Sequence, residues 1–233
     1  MDWSLITTSP LFGFTLTTLA LVFYHRLFRQ AKSPLLSPFL FALISIIILL
    51  LAAKIPYSDY EKGASILSFF MGPAIVALAI PMYKQFDKLK ANALPILLGV
   101  TVGVLVSVTS GVLLSLLTGL SKEMAISMAP KGATSAIALE LSETLGGNPA
   151  MSVTFVNITG IFVYSFGVQF LRLFKIKEPL PLGISLGTAA HAIGTKRAME
   201  LGDEEGAYAS LGIGLAGVLT SLFMPFVLRL FGL

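Results

Sequence analysis

The segment Met124-Ala-Ile-Ser-Met-Ala-Pro-Lys-Gly-Ala-Thr-Ser-Ala-Ile-Ala-Leu-Glu140 places one cation, Lys131, among apolar and small residues. A charge inside lipid hydrocarbon is costly, so such a residue usually faces a polar cavity and marks a functional site. Pro130 has no backbone donor and Gly132 is conformationally free, so a helix is expected to break here. Broken backbone at that depth is tolerated only inside protein or beside water. The segment therefore predicts an anion-binding site around Lys131.

The rest of the chain has the composition of a membrane protein. Of 233 residues, 55% are hydrophobic and 12% are charged, and the mean hydropathy is +0.88. Soluble domains carry about 25% charged residues. Apolar runs of roughly the 20 residues needed to cross a bilayer predict spans at about 5–24, 35–53, 64–82, 94–118, 150–171 and 206–231. Interrupted apolar segments follow at about 121–146 and 181–200.

We therefore predict an all-α integral membrane protein with about six full spans and two broken or re-entrant segments. Residues 1–233 are expected to form one polytopic domain, with N-terminal helices to about residue 120 and a broken-helix region at 121–233. The first span is followed by Arg26 and Arg29 rather than a small-residue cleavage site, so it is not expected to be a cleaved signal peptide.

Several classes of function are disfavoured. The chain has no cysteine, which excludes thiolate nucleophiles and thiolate metal sites. With His25 as the only histidine besides His191, we expect no metal and no cofactor. The net charge of +4 comes from basic residues that flank the spans, so no nucleic-acid partner is expected. No HExxH, G-x-S-x-G or Walker lysine motif is present, so the chain is not expected to be an enzyme or to use ATP.

Three basic loops set the predicted orientation. They lie at 25–34, 83–92 and 172–179, and the positive-inside rule places them in the cytoplasm and the N-terminus outside. This arrangement holds if 121–146 enters and returns as a re-entrant hairpin with its tip near Lys131. A broken spanning helix is the alternative. The segment at 181–200 is compatible with either form, so the side of the C-terminus stays open.

A weak internal repeat supports a transport function. Segments rich in small residues at 71–81, 128–139 and 185–194 each precede a strongly apolar span. Transporters are often built from repeats whose discontinuous helices meet near the midplane. Small residues also let membrane helices pack closely, but ionisable residues inside the second and third copies favour transport.

The first break supplies one group of candidate residues. Lys131, Gly132, Thr134 and Ser135 are expected to present an ammonium, backbone N–H groups and hydroxyls to a carboxylate. The alternatives are a lysine that reaches the membrane interface and hydroxyls that bond to their own helix. Glu140, further along, is a candidate for proton coupling.

The second broken segment supplies another group, His191, Gly194 and Thr195. Histidine titrates near neutral pH, so His191 is a second candidate for proton coupling, although a lone histidine is often a packing residue. Asn157, inside an apolar span, either bonds to a neighbouring helix or reaches the binding site.

These motifs resemble the LrgB/CidB family of bacterial membrane proteins. The resemblance rests on Ala129-Pro-Lys-Gly-Ala-Thr-Ser-Ala-Ile-Ala-Leu-Glu-Leu-Ser-Glu143, Gly187-Thr-Ala-Ala-His-Ala-Ile-Gly-Thr195 and Glu204-Glu-Gly-Ala207. Relatives often have alanine after the second Gly-Thr, where this chain has Lys196.

The resemblance implies two functions and a set of partners. One is gradient-driven or facilitated transport of small monocarboxylates, since bacterial relatives are implicated in pyruvate movement and a plastid relative in glycolate and glycerate movement. The other is holin-like or antiholin-like control of murein hydrolase export and cell lysis. It also implies a bacterial inner-membrane location, a small LrgA/CidA-like membrane partner and a homo-oligomer.

Overall fold

The computed structural model describes residues 7–28, 38–70, 73, 76–77 and 79–233, and the regular elements in these ranges are α-helices. Their bounds are α1 (Phe12–Leu27), α2 (Pro38–Ala52), α3 (Tyr57–Phe69), α4 (Ala79–Lys84), α5 (Phe86–Ala91), α6 (Ala93–Leu117), α7 (Lys122–Met128), α8 (Ser135–Leu145), α9 (Pro149–Leu173), α10 (Pro179–Met199) and α11 (Asp203–Leu230).

Three of these helices, α6, α9 and α11, are long and apolar enough to cross a membrane, and α2 is a shorter apolar helix. The prediction of a helical membrane protein is therefore confirmed at the level of its class. The count of six spans is not confirmed, because three helices among the described residues meet the length and apolarity of a membrane span. Arg29 and Lys32 of the first basic loop, and Met71 and Gly72 of the first repeat, lie outside the described residues.

The chain divides into two compact units, residues 1–77 and 78–233. In the first unit, α1 packs on α3 so closely that a Cβ added to Gly13 would lie 1.9 Å from the Tyr60 carbonyl oxygen. A hydrogen bond of 2.9 Å joins the Thr17 and Tyr60 hydroxyls at the same contact.

In the second unit, α6 supplies the central stripe of the core. Its buried residues recur every four positions, at Ile96, Val100, Val104, Val108 and Val112, which places them on one face of the helix. The residues between them include the exposed side chains of Leu98, Val102 and Val106. An apolar outer face is what a lipid environment requires of a spanning helix.

Helices α7 and α8 form a helical hairpin. Ser121 caps α7 by accepting a hydrogen bond from Met124 N at 3.3 Å, and Thr134 caps α8 by accepting one from Ile137 N at 3.4 Å. After α8, the backbone N–H of Asn148 donates to Ser127 Oγ at 2.7 Å. The chain has therefore returned to α7 instead of continuing away from it.

A buried serine network holds the base of this hairpin to α9. Ser152 Oγ donates to the carbonyl oxygen of Ser127 at 2.6 Å, and it also contacts Ser142 Oγ of α8. Ser127, Ser142 and Ser152 are all fully buried. Buried polar groups are stable only when they are hydrogen-bonded to one another, so these contacts fix α7, α8 and α9 together.

Helix α10 is a second hairpin, because its backbone breaks at Ala190 (φ −141°, ψ 26°) and His191 (φ 43°, ψ −135°). After the break, a Cβ added to Gly194 would lie 2.0 Å from the carbonyl oxygen of Leu186. Residues eight apart in a straight helix are about 12 Å apart, so the second half folds back on the first. Gly194 is required at this contact because a side chain there would collide with backbone.

Helix α11 packs against the same hairpin. Added Cβ atoms at Gly183 and Gly187 would lie 2.4 Å and 2.2 Å from the carbonyl oxygens of Glu205 and Ala209, so small residues permit this close packing. The N-terminal end of α11 is tied to α5, where Lys88 Nζ donates to Glu204 at 2.7 Å. That hydrogen bond raises the pKa of Lys88 above its ordinary value.

The two breaks meet beside the middle of α6. A Cβ added to Gly132 would lie 2.9 Å from Ser107 Oγ and 3.3 Å from the carbonyl oxygen of Thr188. Ser107 lies near the centre of the 25-residue helix α6, and Thr188 lies just before the α10 break. The two hairpins therefore approach this point from opposite ends of α6.

Candidate anion-binding site

Lys131 is held at the tip of the first hairpin by α6. Its Nζ donates to the carbonyl oxygen of Ser107 and to Ser110 Oγ at 3.2 Å. Gly111 makes room for this arrangement, since an added Cβ would lie 2.9 Å from Lys131 Nζ and 2.8 Å from the Met128 carbonyl oxygen. The local backbone break and the missing side chain at Gly111 together place the ammonium at mid-helix depth.

The ammonium has unused binding capacity. An ammonium carries three donors, and two of them are directed at Ser107 and Ser110. Among the described residues, Lys131 has neither an ion pair nor a third hydrogen-bond acceptor. A half-buried cation without a carboxylate partner favours the binding of an anion.

A cavity of about 530 Å³ lies beside Lys131, between α6, α9 and α10. No Asp or Glu is found among the described residues that line it. The lining residues are Pro95, Gly99, Gly103, Val106, Ser107, Lys131, Thr159, Val163, Leu180, Pro181, Ile184, Ser185, Thr188 and Ala189. A mostly apolar concave site with a few polar groups is the usual form of a small-molecule pocket.

The cavity extends along α6 and α10 from their first turns to mid-helix, and we call these its shallow end and its deep end. Pro95, Leu180 and Pro181 come from the first turns of α6 and α10, whereas Ser107 and Thr188 lie at mid-helix, next to the hairpin tips. Lys131 therefore lies at the deep end of a pocket that extends from one end of the helix bundle.

Hydroxyl groups are the other polar groups of the lining. Ser107, Thr159 and Ser185 form no side-chain hydrogen bond within the described structure, although Thr101 and Ser115 of α6 donate to the carbonyl four residues earlier. The Thr188 hydroxyl is buried and also lacks a partner there. The pocket thus combines one cation with several hydroxyls that can donate or accept.

The structure brings only part of the predicted first group to the cavity. Lys131 lines it, and Gly132 packs between Ser107 and Thr188. Thr134 uses its hydroxyl to cap α8, and neither Thr134 nor Ser135 is among the lining residues. Their predicted contact with substrate stays a prediction.

The second group lies beyond the α10 break and is held by local contacts. His191 is buried, and its Nε2 lies 3.1 Å from the carbonyl oxygen of Val156. The Thr195 hydroxyl donates to the His191 carbonyl oxygen at 2.9 Å, and Gly194 packs against Leu186. These residues stabilise the fold-back, and a role in binding or proton coupling stays a prediction for them.

The two remaining candidates lie outside the lining. Glu140 is exposed on α8, and Asn157 is half-buried on α9. Neither side chain has a hydrogen bond or ion pair with the described residues. Proton coupling through Glu140 and substrate contact through Asn157 also stay predictions.

The sequence interpretation missed Ser107, Thr159, Ser185 and Thr188. A serine or threonine in an apolar helix usually bonds to its own backbone, so its presence alone predicts no site. For Ser107 the spacing along α6 carries a weak signal, because it falls on the same helix face as Pro95, Gly99 and Gly103. That face could be recognised only once the hairpins were known to pack against it.

Comparison with known proteins identifies the family. Residues 17–230 match the LrgB-like family. Proteins named antiholin-like protein LrgB from Bacillus mycoides (strain KBAB4), Bacillus cereus (strain B4264) and Bacillus anthracis (strain CDC 684 / NRRL 3495) are each 37% identical over 226 residues. The match covers 95% of this chain and 98% of each relative. No solved structure matches the chain. The chain therefore belongs to the LrgB-like family of membrane proteins.

Proposed function

We propose that this chain carries small monocarboxylates of the pyruvate, glycolate and glycerate class across the bacterial cytoplasmic membrane. The observation that carries the proposal is Lys131, an ammonium without a carboxylate partner among the described residues, at the deep end of a mostly apolar cavity. Transport is gradient-driven or facilitated. A small LrgA/CidA-like membrane protein and further copies of the chain are the proposed partners.

The charge of the cavity limits the proposed substrate. One cation without an acidic neighbour matches one carboxylate, and a second negative charge would remain unpaired against apolar walls. The hydroxyls supply hydrogen bonds for an oxygen on the neighbouring carbon. These features favour small monocarboxylates over dicarboxylates and phosphate esters.

A second candidate function comes from the names of the relatives. The curated relatives carry the name antiholin-like protein, and this observation supports control of murein hydrolase export and lysis more directly than it supports carboxylate transport. Such a regulator alters membrane permeability through its assembly state. It needs no saturable site for a particular solute.

One paired experiment separates the two functions. Cells that lack their own family member would express the native chain, Lys131→Ala or, as a control, Lys177→Ala, whose side chain is exposed outside the cavity. The transport proposal predicts glycolate and pyruvate uptake with the native chain and Lys177→Ala, and little uptake with Lys131→Ala. A change in murein hydrolase release without solute uptake in any strain would favour the antiholin-like function.

A further inference from the structure

The residue next to Lys131 at the deep end of the cavity is Ser107. Its carbonyl oxygen accepts a hydrogen bond from Lys131 Nζ, so Ser107 lies directly beside the ammonium. Ser107 also lines the cavity. Its Oγ lies against Gly132 at the hairpin tip, where an added Cβ would be only 2.9 Å away. The absence of a side chain at residue 132 keeps this hydroxyl uncovered.

The hydroxyl of Ser107 is available for a ligand. Most helical hydroxyls bond to the carbonyl of the preceding turn, as Thr101 and Ser115 of the same helix and Thr118 directly after it do. Ser107 Oγ makes no such bond within the described structure, although α6 is regular through this turn. A hydroxyl can both donate to a keto oxygen and accept from a substrate hydroxyl.

The neighbouring Ser110 has a different role. Its Oγ accepts from Lys131 Nζ at 3.2 Å and donates to the Ser107 carbonyl oxygen at 3.0 Å. Ser110 does not line the cavity. Both serines are therefore close to the ammonium, but of the two only Ser107 lines the cavity and has a hydroxyl without a hydrogen bond in the described structure.

We propose that Ser107 is a specificity-determining residue, whose hydroxyl recognises the oxygen on the second carbon of a carboxylate held by Lys131. This inference rests on the proposed function and adds to the site a hydroxyl that the sequence had not identified. A site that offers a hydrogen bond to a substrate oxygen disfavours an analogue that lacks the oxygen, because the protein group is then left unpaired.

The test compares ligand pairs that differ in that oxygen. Binding of glycolate and acetate, and of lactate and propionate, would be measured calorimetrically with the purified chain, with Ser107→Ala and with a control, Thr101→Ala, whose hydroxyl bonds to the Leu97 carbonyl oxygen of its own helix and does not line the cavity. A neutral hydrogen bond corresponds to about 2- to 12-fold in affinity. We expect the native chain and Thr101→Ala to prefer the 2-hydroxy acids by about that factor, and Ser107→Ala to bind both members of each pair equally.

The outcomes separate this inference from the proposed function. Unchanged discrimination in Ser107→Ala, with Lys131→Ala still abolishing binding, would overturn the assignment of Ser107 and leave the carboxylate site intact. Loss of all binding in Ser107→Ala would be compared with Ser107→Thr, which keeps the hydroxyl. Restored discrimination in Ser107→Thr supports the inference, and its absence overturns it. Absence of carboxylate binding by the native chain would overturn both proposals.

Discussion

At the scale of single residues, the sequence identifies the cation but not the groups around it. Lys131 is conspicuous because a charge between proline and glycine interrupts an apolar segment. Ser107 and Thr159 have no such signal, because hydroxyls are common in membrane helices. Their role depends on which helix faces the hairpin tips, and this is a property of tertiary packing.

Gly111 provides a steric test of the position of Lys131. Gly111→Ala would place a Cβ 2.8 Å from the Met128 carbonyl oxygen and 2.9 Å from Lys131 Nζ, so α7 and the ammonium must move away from α6. Overpacking of this kind costs about 1–3 kcal/mol. We expect a lower unfolding temperature in detergent and weaker glycolate binding.

The control for this substitution is Gly214→Ala on α11, where an added Cβ meets no atom within 4 Å. Removing a helical glycine there is expected to leave stability and binding unchanged or to raise stability slightly. Equal glycolate affinity in Gly111→Ala and Gly214→Ala would contradict the placement of Lys131 against α6.

At the scale of elements, the sequence predicts interrupted segments and a hairpin near Lys131. The sequence does not decide whether α10 folds back on itself, because the charge of a loop cannot distinguish a broken span from a returning chain. The deciding contact joins Gly194 to Leu186. A glycine in the sequence does not show which backbone atom it will approach.

The serine network predicts how strongly the α7–α8 hairpin depends on α9. Ser152→Ala would leave the Ser127 carbonyl oxygen and the Ser142 hydroxyl without their buried partner. Unsatisfied buried polar groups cost about 1–3 kcal/mol each. We expect a measurable fall in thermal stability in detergent, together with weaker carboxylate binding as the hairpin loosens.

Thr154→Ala is the matched control on α9, because its exposed hydroxyl bonds only to the Ala150 carbonyl oxygen of its own helix. We expect its unfolding free energy to stay within about 0.5 kcal/mol of the native value. An equally small change in the unfolding free energy of Ser152→Ala would contradict the role of the serine network in holding the hairpin to α9.

At the scale of the whole molecule, composition alone predicts the helical membrane class, and the family match supports it. The six-span count depends on apolar length, which does not distinguish a straight span from a helix that ends early. The three long helices α6, α9 and α11 frame two shorter hairpins.

The position of the cavity predicts that a water-soluble reagent reaches its lining residues from one side of the membrane only. Its shallow end is formed where α6 and α10 begin, and the basic loops before these helices are predicted to be cytoplasmic. The chain has no native cysteine, so Ser185→Cys introduces a single thiol. We expect a membrane-impermeant maleimide to label it in inside-out vesicles and not in right-side-out vesicles.

Thr118→Cys, exposed at the opposite end of α6, is the control for vesicle orientation and is expected to react only in right-side-out vesicles. Excess glycolate should slow the labelling of Ser185→Cys and leave Thr118→Cys unaffected. Labelling of Ser185→Cys only from the outer face would contradict the predicted topology.

If Lys131 holds the carboxylate during transport, its loss must abolish uptake by the purified protein. Labelled glycolate and pyruvate uptake would be measured in proteoliposomes containing the native chain or Lys131→Ala, with and without a pH gradient and the small LrgA-like partner. We expect saturable uptake by the native chain that falls by about tenfold or more in Lys131→Ala, because the substrate carboxylate loses its charged partner. Equal uptake by the two proteins, or none by the native chain under any of these conditions, would contradict it.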